Sequence, residues 1–340
     1  MATGKITSAE VARRAGVSQS AVSRVFTPGA SASKATADKV RKAAQELGYR
    51  PNVLARAMVS GKSRIIGLVV AYLENYFYPE ALEKLSNALQ AQGYHVLVFM
   101  ANQTSGNIDD VVEEILDYQV DGIIAASVAM SSDLAQRCRD AGVPIVFFNR
   151  TQDGHDFSAV TSDNFSGGRK AAEFLLAGGH RRIGYIAGWE GASTQRDREA
   201  GFLSGLATGG QSLVAREVGD FVMQQAKEAA RRMFDTPDRP DAVFVANDHM
   251  AFAVMDVLRA ELGLRVPDDV SVIGFDDVPP AAWAAYDLTT LRQRANLMVQ
   301  STVEILLEQL ETPDAGVREE TIEAPLVVRG SARIPRGWTS

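Results

Sequence analysis

The sequence predicts an all-α headpiece joined to a larger α/β body of two doubly wound parallel-sheet units. Three observations predict this division. Residues 1–64 carry twelve Lys and Arg against three acids, net +9, in a chain whose total charge is −7, so the remainder is strongly acidic. Within the basic segment, apolar residues recur at helical spacing. From Ile65 onward, short apolar runs alternate with amphipathic stretches.

In the headpiece, Thr7 or Ser8 followed by Glu10 and Val11 forms a helix start, and Gly16 stands where that helix ends. Ser18 offers an N-cap to a second helix, "QSAVSRVF", which stops before Pro28-Gly29. Ala9, Ala12, Val17, Val22 and Val25 are placed to turn the two apolar faces together. A third helix, about Ser33 to Leu47, directs Val40, Ala43, Ala44 and Leu47 inward before Gly48. Helix, glycine turn, helix and supporting helix is the helix-turn-helix arrangement.

That arrangement explains the chemistry of residues 16–26. The second helix of such a unit enters the DNA major groove and presents its first residues to base edges. Gln19 can pair bidentately with adenine and Arg24 with guanine or a phosphate, while Ser18, Ser20 and Ser23 allow close approach to the backbone. An ordinary amphipathic helical hairpin would share the periodicity, but not the charge. The following "YRPNVLARAMVSGKSR" contains a short helical segment, about Val53 to Val59, too short to be stable alone in water. It reads either as a hinge that folds on DNA or as a plain linker.

The body begins with "IIGLVVAYL" and continues through "HVLVFMAN", "VDGIIAASV", "PIVFFNR", "RRIGYIAG", "AVFVAND" and "VSVIGFDD". Continuous apolar strands separated by helices imply parallel sheet covered on both faces. Ligands of such sheets gather at the carboxyl ends of strands. Polar pairs stand at four of these ends: Asn149-Arg150, Asp163-Asn164, Asn247-Asp248 and Asp276-Asp277. Each pair could cap the next helix, or the four could share a polar cleft.

Several function classes are excluded. There is no GxGxxG, no GxxxxGK[ST] and no GxSxG, so nucleotide chemistry and serine hydrolysis lack their motifs. One cysteine, Cys138, and four scattered histidines support neither a disulfide nor a zinc site. No metal, cofactor or catalytic residue is expected. No apolar run reaches the ~20 residues of a membrane span, and the opening residues lack the apolar core of a secretory signal. A cytoplasmic, membrane-free protein is the expectation.

The stretches "EVARRAGVSQSAVSRVF", "KVRKAAQELGYRPNVLARAM", "GHRRIGYIAG", "REAGF", "VFVANDHMAF", "VPDDVSVIGFDD" and "LTTLRQ" occur in the order found in bacterial repressors. On these motifs the whole chain resembles the lactose/galactose repressor (LacI/GalR) family. The resemblance implies a headpiece over 1–50, a hinge helix and linker over 51–63, and an effector-binding and dimerisation domain over 64–340. That domain would resemble periplasmic binding proteins, with one subdomain of about 64–161 and 292–322 and another of about 162–291 and 323–340.

It further implies a homodimer on a near-palindromic double-stranded operator. Gln19, Ser20 and Arg24 would read bases, and Ser18, Ser23 and Asn52 would meet phosphates or sugars. Ala55 and Met58 of the hinge would enter the minor groove. Met58 stands where the family usually has leucine, and "FTPGAS" replaces its usual Asn-rich segment. The effector, a sugar or sugar derivative, would meet Phe77, Tyr78, Arg198, Phe221, Asn247 and Asp276. For Phe77, Tyr78 and Phe221, core packing is the competing reading. Arg196 would add positive charge at the rim, which admits sugar acids and phosphates. The expected function is a transcriptional repressor whose operator affinity depends on this effector. The alternative is a sugar-binding receptor for transport or sensing.

Overall fold

The computed structural model describes residues 6–27, 30–50, 62–101, 108–128, 131–152, 157–312 and 314–338. The chain divides into two compact units, Met1–Arg64 and Ile65–Ser340. The hinge positions Asn52, Ala55 and Met58 lie outside the described residues.

Among its described residues the first unit holds three helices: α1 (Ser8–Ala15), α2 (Gln19–Phe26) and α3 (Lys34–Leu47). Thr7 caps α1 through a reciprocal capping box with Glu10, and Gly16 ends the helix at φ +66°. That left-handed angle carries little steric penalty for glycine. Ser18 and Ser33 cap α2 and α3 through their side-chain oxygens. Val11, Ala12, Val22, Val40, Ala43 and Ala44 form the buried core. Ala9 does not join it as expected: it is exposed, and Val11 takes its place because it lies on the side of α1 that faces α2 and α3.

The second unit contains two six-stranded sheets of matching order. The first runs β11–β5–β4–β3–β1–β2 and the second β12–β10–β9–β8–β6–β7. In the first sheet the strands are β1 (Ile65–Val70), β2 (His95–Met100), β3 (Gly122–Ala126), β4 (Ile145–Phe148), β5 (Ser158–Ser162) and β11 (Glu319–Ile322). In the second they are β6 (Ile183–Ala187), β7 (Ala215–Val218), β8 (Ala242–Val245), β9 (Ser271–Asp276), β10 (Thr289–Arg292) and β12 (Leu326–Val327). Pairing is parallel except at β10–β12. The chain passes between the sheets after β5, β10 and β11. The central strands are buried along their length, as expected when helices cover both faces.

The first sheet's helices are α4 (Phe77–Ala91), α5 (Ile108–Asp117) and α6 (Ser132–Asp140). The second carries α7 (Asn164–Ala177), α8 (Ser193–Thr208), α9 (Met223–Phe234) and α10 (Asp248–Asp256); α11 (Ala295–Glu311) returns to pack on α4. Helices α7 and α8 meet almost backbone to backbone. A β-carbon on Gly168 would lie 2.1 Å from the Arg198 carbonyl oxygen, and one on Gly201 would lie 1.9 Å from that of Phe165. Neither backbone can yield without moving its helix, and this contact sets the depth of Arg198. Gly201→Ala is expected to cost at least ~3 kcal/mol through overpacking. Denaturant unfolding would measure it; an unchanged midpoint would contradict the close contact.

Candidate functional site

Two groups of predicted residues are accounted for separately, one in each unit. On α2, Ser18, Gln19, Ser20, Ser23 and Arg24 are all exposed. Their side chains make light local contacts. Gln19 Nε2 donates to Ser8 Oγ at 2.9 Å, the Ser18 and Ser20 hydroxyls lie 2.9 Å apart, and Arg24 Nε donates to the Ser20 carbonyl at 3.4 Å. Among the described residues no carboxylate pairs with Arg24. The surface is polar, basic and built on a capped helix whose opposite side is anchored by buried Val22.

In the second unit, the carboxyl ends of β1, β4, β8 and β9 contribute to one polar cleft, as the doubly wound arrangement requires. The cleft is lined by Tyr72, Asn75, Tyr78, Asn149, Arg150, Thr194, Arg198, Phe221, Asn247 and Asp276. Ser127, Asn149, Phe221 and Asp276 all have positive φ although none is glycine. Such strain gathers at sites where the backbone must aim side chains. Phe221 is the most telling case, a bulky residue at φ +60°. Its ring lies against Gly188, where a β-carbon would come within 2.2 Å of it.

Arg198 organises the cleft. Its Nε donates to Asn164 Oδ1 at 2.8 Å and its Nη1 to the Ala246 carbonyl at 2.6 Å. Nη2 lies 3.6 Å from Asp276 Oδ1, and the guanidinium stacks 3.7 Å above the centre of Phe275. Asp276 also accepts from Gln293 Nε2 at 2.8 Å and from Asn75 Nδ2 at 3.1 Å. Asn75 follows β1 of the first sheet and Asp276 ends β9 of the second, so this bond ties the two halves across the cleft. The enclosed cavity is about 10 Å³, room for about one water.

Of the six predicted effector residues, Tyr78, Arg198, Phe221 and Asp276 line this cavity. Asn247 lines it too, but its Oδ1 caps α10 by accepting from Met250 N at 2.9 Å, which leaves only the amide donors. Phe77 does not line it; its ring stacks on Phe148 with centroids 6.1 Å apart, in the core. Arg196 is exposed and donates to the Gly191 carbonyl. Sequence reasoning did not single out Tyr72, Asn75 or Thr194, and it noted Asn149 and Arg150 only as a polar strand end. A larger groove of about 370 Å³ lies beyond Asp276, beside Phe77, Lys84 and Arg292. Its three cations are already engaged: Arg292 with Asp277 at 2.5 Å, Lys84 with Asn296 at 2.6 Å and Arg294 with Glu323 at 3.7 Å.

Behind Asp276 lies a second buried carboxyl, Asp248. It accepts from Thr290 Oγ1 at 2.6 Å and from Val278 N at 3.0 Å. Burial raises the pKa of both carboxyls. The charge of Asp276 raises Asp248 further, whereas Arg198 pulls Asp276 back down. Both carboxyls thus bind a proton more readily than exposed aspartates, and Arg198 opposes this at Asp276.

Comparison with known proteins joins the two units. The pattern of bacterial regulatory proteins of the lacI family matches residues 7–52, and that of the periplasmic binding protein-like domain matches residues 172–332. The HTH-type transcriptional repressor PurR of Vibrio vulnificus (strain CMCP6) is 30% identical over 95% of this chain and 98% of its own. The chain belongs to the lacI family. It is a DNA-binding transcriptional regulator, and its named relatives are repressors and regulators rather than enzymes. Among solved structures, the lac repressor dimer bound to operator and the anti-inducer ONPF matches with a TM-score of 0.86 at 28% identity, covering 96% of this chain and 98% of that one. The transcriptional regulator CelR in complex with cellobiose matches at 0.73 and 31%, covering 96% and 100%. No helix among the described residues is long and apolar enough to cross a membrane.

The carboxyl pair carries a pH signature. Burial raises the Asp248 carboxyl from the ordinary value of 3.8 to about 8. The native state then binds more protons than the unfolded one, so this contribution to stability is complete at low pH and fades as pH rises toward the elevated pKa. Asp248→Asn is expected to flatten the decline in melting temperature between about pH 5 and 8. An unaltered slope would show that Asp248 is already ionised in the native protein.

Proposed function

We propose that the protein is an operator-binding repressor that acts as a homodimer, its DNA affinity set by a small polyhydroxylated effector in the cleft around Arg198 and Asp276. The observation that carries this reading is the presence, on one chain of the lacI family, of an exposed basic recognition helix and a polar cleft between two α/β halves. Gln19, Ser20 and Arg24 read bases, while Ser18 and Ser23 contact the backbone. Asn52, Ala55 and Met58 take the hinge roles expected from the sequence.

In the cleft, Asp276 accepts from a ligand hydroxyl, the amide of Asn247 donates, and the Phe221 ring covers an apolar face. A cavity of about 10 Å³ is far below the ~300–1,000 Å³ of ordinary ligand sites. The effector therefore enters only when the Asn75–Asp276 bond opens, and its hydroxyl takes over the place of the Asn75 amide. That exchange moves one half against the other, and differential affinity for the two arrangements is what couples the cleft to DNA. Dimer formation is supported by apolar side chains exposed on both halves: Val98, Met100 and Tyr118 on the first, Val222, Met223 and Trp283 on the second. The transport-receptor alternative leaves the headpiece without a purpose.

Arg24→Ala is expected to weaken operator binding by about 1–3 kcal/mol while effector affinity stays within twofold of the parent, roughly the error of such titrations. Electrophoretic mobility shifts and calorimetric effector titration measure the two separately. A loss of both would show that Arg24 supports the fold instead of reading DNA.

A further inference from the structure

We propose that Ser8 is a positioning residue for base recognition: by holding one N–H of the Gln19 amide, it makes Gln19 select adenine over guanine. The inference rests on the reading of α2 as the recognition helix and deepens it at one base position. Gln19 Nε2 donates to Ser8 Oγ at 2.9 Å, the one hydrogen bond of the Gln19 side chain among the described residues. The packing beneath builds this contact. Ser8 opens α1 and Gln19 opens α2, and Val11 and Val22, both fully buried, hold the two helices in one core. The Ser8 hydroxyl is available because its neighbour caps α1: Thr7 N donates to Glu10 Oε2 at 2.7 Å, and Glu10 N donates to Thr7 Oγ1 at 3.4 Å. The serines on either side of Gln19 are occupied elsewhere. Ser18 Oγ accepts from Ala21 N at 3.2 Å and lies 2.9 Å from Ser20 Oγ.

The selectivity follows from donors and acceptors. A free glutamine amide has two N–H donors and one oxygen acceptor. With one N–H held by Ser8, Gln19 presents a single donor and the Oε1 acceptor. The major-groove edge of adenine is the complement, an acceptor at N7 and a donor at N6. Guanine offers two acceptors, N7 and O6, so its O6 would face Oε1 with no hydrogen between them. Two acceptors brought together out of water lose their hydration without a replacement bond. Removing the Ser8 hydroxyl returns the second N–H to the amide, and guanine then finds two donors. The bond is exposed in the free protein. Base contact excludes water from it, which strengthens it where the discrimination is made. Arg24 is built for the other purine. Its Nε donates to the Ser20 carbonyl, and its terminal nitrogens, without a hydrogen bond among the described residues, are two donors for guanine.

The test uses the full-length protein and a library of duplexes randomised over both half-sites, selected by binding at one fixed salt concentration. The position read by Gln19 is the one whose base preference disappears in Gln19→Ala. Affinities for two duplexes that differ only there, adenine against guanine, are then measured by fluorescence anisotropy for the parent, Ser8→Ala and Ser8→Thr. The parent is expected to favour adenine by ~5–100-fold, and Ser8→Ala to bring the two within ~3-fold, chiefly by binding guanine better. Ser8→Thr keeps the hydroxyl and should restore the preference. Thr7 still caps α1 in Ser8→Ala, and alanine is the best helix former, so the helix itself is preserved. The position lost in Arg24→Ala should keep its base in both Ser8 variants. Weakening of every position alike in Ser8→Ala would make Ser8 a support of the fold and overturn the proposal. An adenine preference unchanged in Ser8→Ala, or a parent preference for any other base at that position, overturns the proposal and leaves the recognition helix standing. Selection of no motif, or a motif indifferent to Gln19→Ala and Arg24→Ala, overturns the recognition-helix reading and the proposal with it.

Discussion

The body of this protein is organised around one buried cation. Arg198 is 2% exposed, and no arginine stays charged at that depth unless its surroundings answer the charge. Four elements do so at once: Asn164 at the start of α7, the end of β8 through Ala246, the end of β9 through Asp276, and the Phe275 ring beneath. The depth itself comes from the glycine contact between α7 and α8. A larger residue at 168 or 201 would lift α8, and Arg198 with it, away from the carbonyl and carboxylate it needs. Packing of small residues and solvation of one charge are thus a single structural problem with a single solution.

The same charge explains why Asp276 can serve two masters. The Arg198 charge pulls its carboxyl down against the upward pull of burial, and Gln293 and Asn75 both donate to it. Gln293 lies on the crossover after β10, and its own Oε1 accepts from Ser162 at the crossover after β5. Asn75 belongs to the first half. The carboxylate is therefore bonded to the chain where it changes sheets and to the loop that closes the cleft. A ligand that competes for Asp276 acts directly on the bond between the halves, with no relay needed.

Much of this was legible in the sequence. Helix caps at Thr7, Ser18 and Ser33 and the glycine stops at 16 and 48 are local chemistry, and local chemistry needs no partner to be read. The seven apolar runs became strands for the same reason. Strands β5, "SAVTS", and β7, "AREV", escaped notice because their polar residues are satisfied by tertiary contacts: the Ser158 hydroxyl accepts from Gln309 and from Arg318 N. Ala9 was misplaced because helical spacing names a face only approximately, and Val11 fills the interior better. Among the strand-end pairs, periodicity could not separate caps from cleft. Asp163 and Asn247 proved to cap helices, whereas Asn149 and Asp276 do not.

Arg150 marks where sequence reading stops. As one basic residue among 35, it carries no signal of its own; positive charge at the cleft was instead assigned to Arg196, beside the family's arginine. Arg196 turns to solvent and to a backbone carbonyl. What distinguishes Arg150 is an absence of protein partners combined with burial, and both are tertiary properties. Its Nε, buried beside the Trp189 ring, loses hydration that the aromatic face only partly replaces.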